Sequence, residues 1–213
     1  MGRETEIKLR IAERKSFEKA LRQLRARPLH GRASLRVRET NIVFDTAGRE
    51  LSGKGQLLRI RTECVANSSG GKRSAAPTRV LLTFKAPVEP PGGAASRHKV
   101  REETELELSS ADSFSKILEA LGLRPFFRYE KIRSTYVLPA AARWARGLLI
   151  ELDETPIGDF VELEGSPAAI DRAAKLLGFS PEQHILANYG QLYREDCQRR
   201  GVAPGDMVFA RRR

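Results

Sequence analysis

Cysteine and histidine are too scarce in this 213-residue chain to organise its chemistry. Cys64 and Cys197 stand far apart with no other cysteine near either, which argues against a disulfide framework or a zinc cluster. His30, His98 and His184 are equally isolated, so no histidine metal site is expected. A glycine-rich phosphate loop, a nucleophile elbow and a Cys-His pair are all missing, and covalent catalysis is left without a candidate. No apolar run approaches the ~20 residues of a membrane span. The acidic segment starting at Glu4 has no apolar stretch before it, so no signal peptide is expected and the default is a cytoplasmic protein. Aromatic residues make up only 7% and do not interleave with basic ones as a nucleic-acid stacking platform would.

Charge is what the chain has in quantity. Lys and Arg number 38 against 27 Asp and Glu, a net charge of +11 that calls for an anionic partner or a solvated basic surface. Part of the excess falls in Lys72-Arg73 and in the end Arg211-Arg212-Arg213, where solvated charge suffices, so a small polyanionic ligand ranks above a polynucleotide. With 40% hydrophobic residues, the length suits one domain, residues 1–197, followed by a basic C-terminal tail, 198–213.

The charge is also patterned. In Glu4-Thr5-Glu6-Ile7-Lys8 alternate side chains share a strand face, so Glu4, Glu6 and Lys8 point together while Ile7 and Leu9 point away. Phe160-Val161-Glu162-Leu163-Glu164 repeats the arrangement. Either could be an ordinary amphipathic strand with a wet face. The pattern returns, however, with Arg59 and Arg61 against Leu58 and Ile60, then with Lys85, with Arg101, Glu103 and Glu105, with Lys131 and Arg133, and with Glu151 and Asp153. Between these strands, helices are expected over Ser16–Arg25 with Ser16 as N-cap, Ser109–Leu121, Pro167–Leu177 and Pro181–Arg194, with a loosely held tail beyond. The segments Ala66–Pro77 and Pro87–Ser96 read as mobile loops.

About eight strands joined mostly by turns favour an antiparallel sheet that closes into a barrel. Amphipathic helices need an apolar surface to cover, and if they pack outside, the charged faces must line the lumen. The expected fold is therefore α+β: an eight-stranded antiparallel β-barrel with a charged interior, covered outside by helices. Enclosing so many ions costs several kcal/mol for each one left unpaired. A polyphosphate with divalent cations would use both signs, since Arg and Lys coordinate phosphate oxygens and carboxylates hold Mg²⁺ or Mn²⁺.

Glu4-Thr5-Glu6-Ile7-Lys8 resembles the ExExK motif of the CYTH superfamily, the triphosphate tunnel metalloenzymes that include class IV adenylate cyclases, thiamine triphosphatases and inorganic triphosphatases. The resemblance continues in order through Val43-Phe44-Asp45-Thr46, Leu58-Arg59-Ile60-Arg61, Leu82-Thr83-Phe84-Lys85, Arg101–Glu105, Lys131-Ile132-Arg133, Ile150–Asp153 and Gly158–Glu164. It implies that Glu4, Glu6, Glu162 and Glu164 bind metal with Asp153 or Glu151 assisting. It also implies that Lys8, Arg59, Arg61, Lys85, Lys131 and Arg133 grip the triphosphate; Arg101 joins them here or pairs with Glu103 or Glu105.

The expected reaction is metal-dependent hydrolysis of a triphosphate (inorganic tripolyphosphate, thiamine triphosphate or a nucleoside triphosphate), with Lys8, beside Glu6, as general base. The alternatives are a class IV adenylate cyclase and a non-catalytic polyphosphate- or RNA-binding module. Met1-Gly2-Arg3 stands where cyclases of the family carry a His-Phe pair, which lowers the cyclase reading. The two long loops are poor in aromatics, so no base- or thiamine-stacking residue is apparent. Tyr189 could close the tunnel, but helix packing is its expected role. A homodimer is compatible with the sequence.

Overall fold

A computed structural model describes residues 2–29, 36–66, 79–88 and 96–210. The strands are β1 (Gly2–Arg10), a two-residue β2 (Arg27–Pro28), β3 (Val37–Thr46), β4 (Leu57–Val65), β5 (Arg79–Pro87), β6 (Lys99–Glu107), β7 (Leu123–Val137), β8 (Leu149–Thr155) and β9 (Gly158–Glu164). Their order is β2-β7-β3-β4-β5-β6-β1-β9-β8, and β8 pairs back onto β7, so eight antiparallel strands close a barrel with β2 appended. The helices are α1 (Arg14–Gln23), the short α2 (Glu50–Gly53), α3 (Ala111–Ala120), α4 (Pro167–Leu176) and α5 (Tyr189–Arg200). No described helix is long and apolar enough to cross a membrane.

The barrel is inside-out relative to an ordinary β-protein, for the reason the alternation dictates. Ile7, Leu9, Ile150, Leu152, Val161 and Leu163 are buried on its outer wall beneath Phe17 and Leu21 of α1 and Ile170 and Ala173 of α4. Phe44, Ile60 and Val80 form a second outer cluster with Leu118 of α3. Each such side chain supplies about 1.5–3 kcal/mol of burial, so the wall is held from outside and the lumen is released for polar groups.

Helix ends follow local chemistry. Ser110 caps α3 by accepting from Ser113 N, and Ser166 caps α4 with Pro167 in the first turn. The N-cap expected at Ser16 does not form: α1 starts two residues earlier, and the Ser16 hydroxyl donates to Glu13 Oε2 at 2.6 Å. The single helix expected over Pro181–Arg194 is also broken. A 3₁₀ turn at Pro181–Gln183 gives way to an extended stretch, and α5 starts only at Tyr189, with Asn188 as its N-cap in a capping box with Gln191. The tertiary reason is Ile185. Beyond Glu6, β1 has lost its β6 neighbour, and Ile185 replaces it by exchanging backbone hydrogen bonds with Lys8 at 3.0 and 2.8 Å.

A similar repair overturns the expectation of a loose tail after Arg194. Where β7 outruns β8, Met207 takes the vacant edge: Glu130 N donates to Met207 O at 2.8 Å and Met207 N to Arg128 O at 2.9 Å. Its side chain is fully buried among Val43, Tyr129, Phe160, Tyr189 and Leu192. The expected loops Ala66–Pro77 and Pro87–Ser96 lie mostly outside the described residues, as do His30, Lys72-Arg73 and Arg211–Arg213.

Candidate active site

The strand faces turned inward enclose a cavity of about 550 Å³. Strand alternation brings Glu4, Glu6, Lys8, Arg59, Arg61, Lys85, Arg101, Lys131, Arg133, Glu151, Glu162 and Glu164 onto its wall. The opposite charges interlock across strands. Lys8 Nζ donates to Glu162 Oε1 at 2.5 Å and lies 4.4 Å from the centre of the Tyr189 ring. Lys85 Nζ donates to both oxygens of Glu4 at 2.7 Å. Arg101 reaches across β1 to Glu6 at 2.9 Å and Glu4 at 3.5 Å, so it pairs with the expected metal ligands and makes no ion pair with Glu103 or Glu105. Arg133 bridges Asp153, at 2.7 Å through two nitrogens, to Glu151 and Glu162.

Asp153 differs from the other acids. It is fully buried and absent from the cavity wall, and its carboxylate is taken up by Lys131 at 2.9 Å, Arg133 and the Tyr189 hydroxyl at 2.7 Å. It holds the cations in place from behind. Tyr189, expected to serve helix packing, does both jobs: it packs against Phe160 and Leu192, and its hydroxyl donates to Asp153. The α5 capping box aims it there, since Tyr189 is the first helical residue.

Burial taxes every charge here, and the neighbours decide the outcome. Burial and Glu162 act to raise Glu6, yet Lys8, Lys99 and Arg101 hold it down at about 2. Glu162 is also opposed by burial, but Lys8, Lys131 and Arg133 hold it well below the usual carboxylate range. The opposite happens at Glu151, pushed up to about 7 by burial with Glu162 adding to it against Arg133. Glu164 is likewise pushed up to about 7 by burial, then by Glu151 and Glu4. Among the described residues Glu164 makes no ion pair or side-chain hydrogen bond, so it stands on the cavity wall beside Glu4 and Glu151 without a cation of its own.

That unpaired carboxyl is the test of whether a divalent metal suits the site. The donors are hard carboxylate oxygens, the class Mg²⁺ and Mn²⁺ prefer, and a cation would relieve the crowding of Glu4, Glu151 and Glu164. The residues therefore fit the ion, although among the described residues no three acidic, histidine or cysteine side chains are already gathered closely enough to hold one. The carboxylates are engaged with lysines and arginines instead.

Several groups on or behind the cavity wall escaped the sequence reading. Glu39 is 2% exposed beneath Lys131, Arg133 and Arg61, at 3.6, 3.7 and 3.8 Å, and these cations hold it at about 2 against the cost of burial. It shares a strand face with Asn41 and Val43, neither of them charged, so no alternation of charge betrays it. Lys99 lines the cavity 3.4 Å from Glu6, and burial lowers it to about 8, with Arg101 and Lys8 adding to that effect against Glu6. Its parity with Arg101 and Glu103 was a usable signal. Phe126 and Phe127, both on β7 and in neither long loop, also line the cavity, a placement the sequence reading did not draw.

Comparison with known proteins agrees with this architecture. A protein of Pyrococcus horikoshii is 22% identical with a TM-score of 0.65, covering 91% of this chain and 99% of that one. One of Vibrio parahaemolyticus, named for adenylate cyclase, is 20% identical with a TM-score of 0.62 over 89% and 96%. A Hippeastrum protein, named for adenylyl cyclase and described as having a dominant triphosphatase activity, is 19% identical with a TM-score of 0.54 over 94% and 97%. At these identities the likeness is one of fold. No curated protein matches. The CYTH domain profile, however, matches residues 2–181, which takes in every strand of the barrel and both paired-carboxylate segments, and on that match the chain belongs to the CYTH family.

Proposed function

We propose that the chain hydrolyses a triphosphate in a metal-dependent reaction inside the tunnel. The observation that carries this reading is the interleaving of carboxylates and cations around one enclosed cavity, with Glu164 crowded by Glu151 and Glu4 and, among the described residues, without a cation of its own. Lys8, Arg59, Arg61, Lys85, Arg101, Lys131 and Arg133 grip the phosphate oxygens; all but Arg59, which is held by the Tyr129 and Thr83 hydroxyls, exchange a carboxylate partner for the substrate as it binds. Asp153 and Glu39, behind them, keep Lys131 and Arg133 aimed inward. Positioning and fixed charge do most of the catalysis, because charge builds on phosphoryl oxygens in the transition state.

Glu4, Glu6, Glu162 and Glu164, with Glu151 beside them and Asp153 behind, would hold Mg²⁺ or Mn²⁺. When bound, the ion supplies charge neutralisation at the phosphates and an acidified water. Lys8, which donates to Glu162, is the proposed proton acceptor beside Glu6, a role that requires its amine both to leave Glu162 and to have given up its proton before the attacking water is activated.

Hydrolysis ranks above cyclisation because a relative named for cyclase is described with dominant triphosphatase activity. The test is product analysis with Mg²⁺ or Mn²⁺ over tripolyphosphate, thiamine triphosphate and ATP. Orthophosphate release, lost by about 10²-fold or more in Glu4→Gln and Glu162→Gln, is expected. Cyclic AMP with pyrophosphate would assign the cyclase reaction. Salt-sensitive RNA binding without turnover would assign a non-catalytic polyanion-binding module.

A further inference from the structure

Two backbone irregularities converge at one end of the tunnel. Val43 pairs with Phe127 and Phe44 with Pro125, so Phe126 is the extra residue of a β-bulge in β7. Pro125, which cannot donate to a ladder, is tolerated there. Without the bulge, alternation would point Phe126 outward, away from Phe127, Tyr129 and Lys131. A bulge re-aims a side chain, and here Phe126 and Phe127 both line the cavity. Opposite them Arg49 adopts a left-handed φ of 61°, unusual for a residue with a side chain. In that conformation its guanidinium lies 4.3 Å from the centre of the Phe126 ring. Irregular backbone retained on both sides of one contact points to use of that contact.

The surroundings state what would be used. Phe126 is 37% exposed, so the platform is reachable. Gln56 and Gln191 line the same end, and Gln191 spends its carbonyl on Asn188 N at 2.8 Å, leaving its amide N–H groups to donate. Arg194 adds a second cation. Phe127 stacks on Tyr129 at 5.7 Å, and the Tyr129 hydroxyl accepts from Arg59 at 3.0 Å, so the platform leads directly to a phosphate-gripping side chain.

We propose that this vestibule binds an uncharged nucleobase, making a nucleoside triphosphate the substrate class; the inference rests on the tunnel being a triphosphate site. Arginine planes and phenylalanine faces stack heteroaromatic rings, and amides read ring edges. Inorganic tripolyphosphate leaves the platform unused. Thiamine triphosphate would bring its cationic thiazolium against Arg49 and Arg194.

Calorimetric binding of ATP and of tripolyphosphate, each with Mg²⁺, decides it, with phosphate release followed in parallel. Wild-type protein should prefer ATP. Phe126→Ala and Arg49→Ala should each lower the ATP-to-tripolyphosphate affinity ratio by about 5- to 100-fold, the range of base stacking, and Phe126→Trp should restore it. Both replaced side chains lie at the cavity mouth, and circular dichroism checks that the variants stay folded. A wild-type preference for tripolyphosphate or thiamine triphosphate, or a ratio unmoved by both alanine variants, overturns the vestibule while leaving triphosphate hydrolysis intact. Preferential ATP binding without any turnover would instead remove the hydrolytic reading and keep the vestibule. Binding of neither ligand removes both.

Discussion

Replacing Glu39 by Gln removes one negative charge from beneath Lys131, Arg133 and Arg61 while keeping the side chain's shape. Burial by itself would raise this carboxyl, so the fall from 4.5 to about 2 measures how far the three cations overcome desolvation. A folded value below the unfolded one means that the ionised group stabilises the fold. That contribution is fully present above about 4.5 and lost as the pH drops towards about 2. At roughly 1.4 kcal/mol for each pH unit, Glu39→Gln should cost about 3 kcal/mol at pH 7. In a chain of this size that corresponds to a Tm lower by about 6–12 °C. Thermal unfolding of both proteins at pH 7 and pH 3 checks it, and roughly half the difference should have vanished at the lower pH. A difference that persists undiminished at pH 3, or none at pH 7, would refute the claim that the lumen is held by charge balance.

The remaining predictions probe parts of the molecule outside the cation belt. Met207→Ala should destabilise by about 2–5 kcal/mol, because a fully buried side chain on the barrel seam would leave a cavity against Tyr129 and Tyr189; chemical denaturation would show it. An unchanged midpoint would mean that the C-terminal segment is dispensable. Asp45→Ala should cost about 0.5–2 kcal/mol, since the carboxylate accepts from the backbone N–H groups of Thr46, Leu51 and Ser52 at 2.8, 2.9 and 3.0 Å. Although burial opposes it, those hydrogen bonds lower the Asp45 pKa, so this contribution should be full near neutrality and fade only in acid, as Tm against pH would record.

Much of the site was legible because strand alternation is a local rule. Glu4, Glu6 and Lys8 must share a face wherever β1 lies, and the same holds for Arg59 with Arg61 and Glu162 with Glu164. Apolar partners at the intervening positions then forced those faces inward, since the helices had to cover something. Glu39 and Lys99 escaped for opposite reasons. Glu39 is flanked on its strand face by the uncharged Val37, Asn41 and Val43, with the next charge only at Asp45, and Lys99 stands at the very start of β6, where an alternating pattern has no preceding member.

From sequence alone came the two-faced strands and their polar lumen, because period-2 patterning and the cost of burying ions need no knowledge of which strand meets which. Only the tertiary structure decided that Ile185 and Met207 mend the seams, that Asp153 stands behind the cations, and that Phe126 turns into the mouth beneath Arg49. Each of these depends on where one strand outruns its neighbour or gains a residue over it, and such an offset between segments distant in sequence leaves no trace in either segment alone.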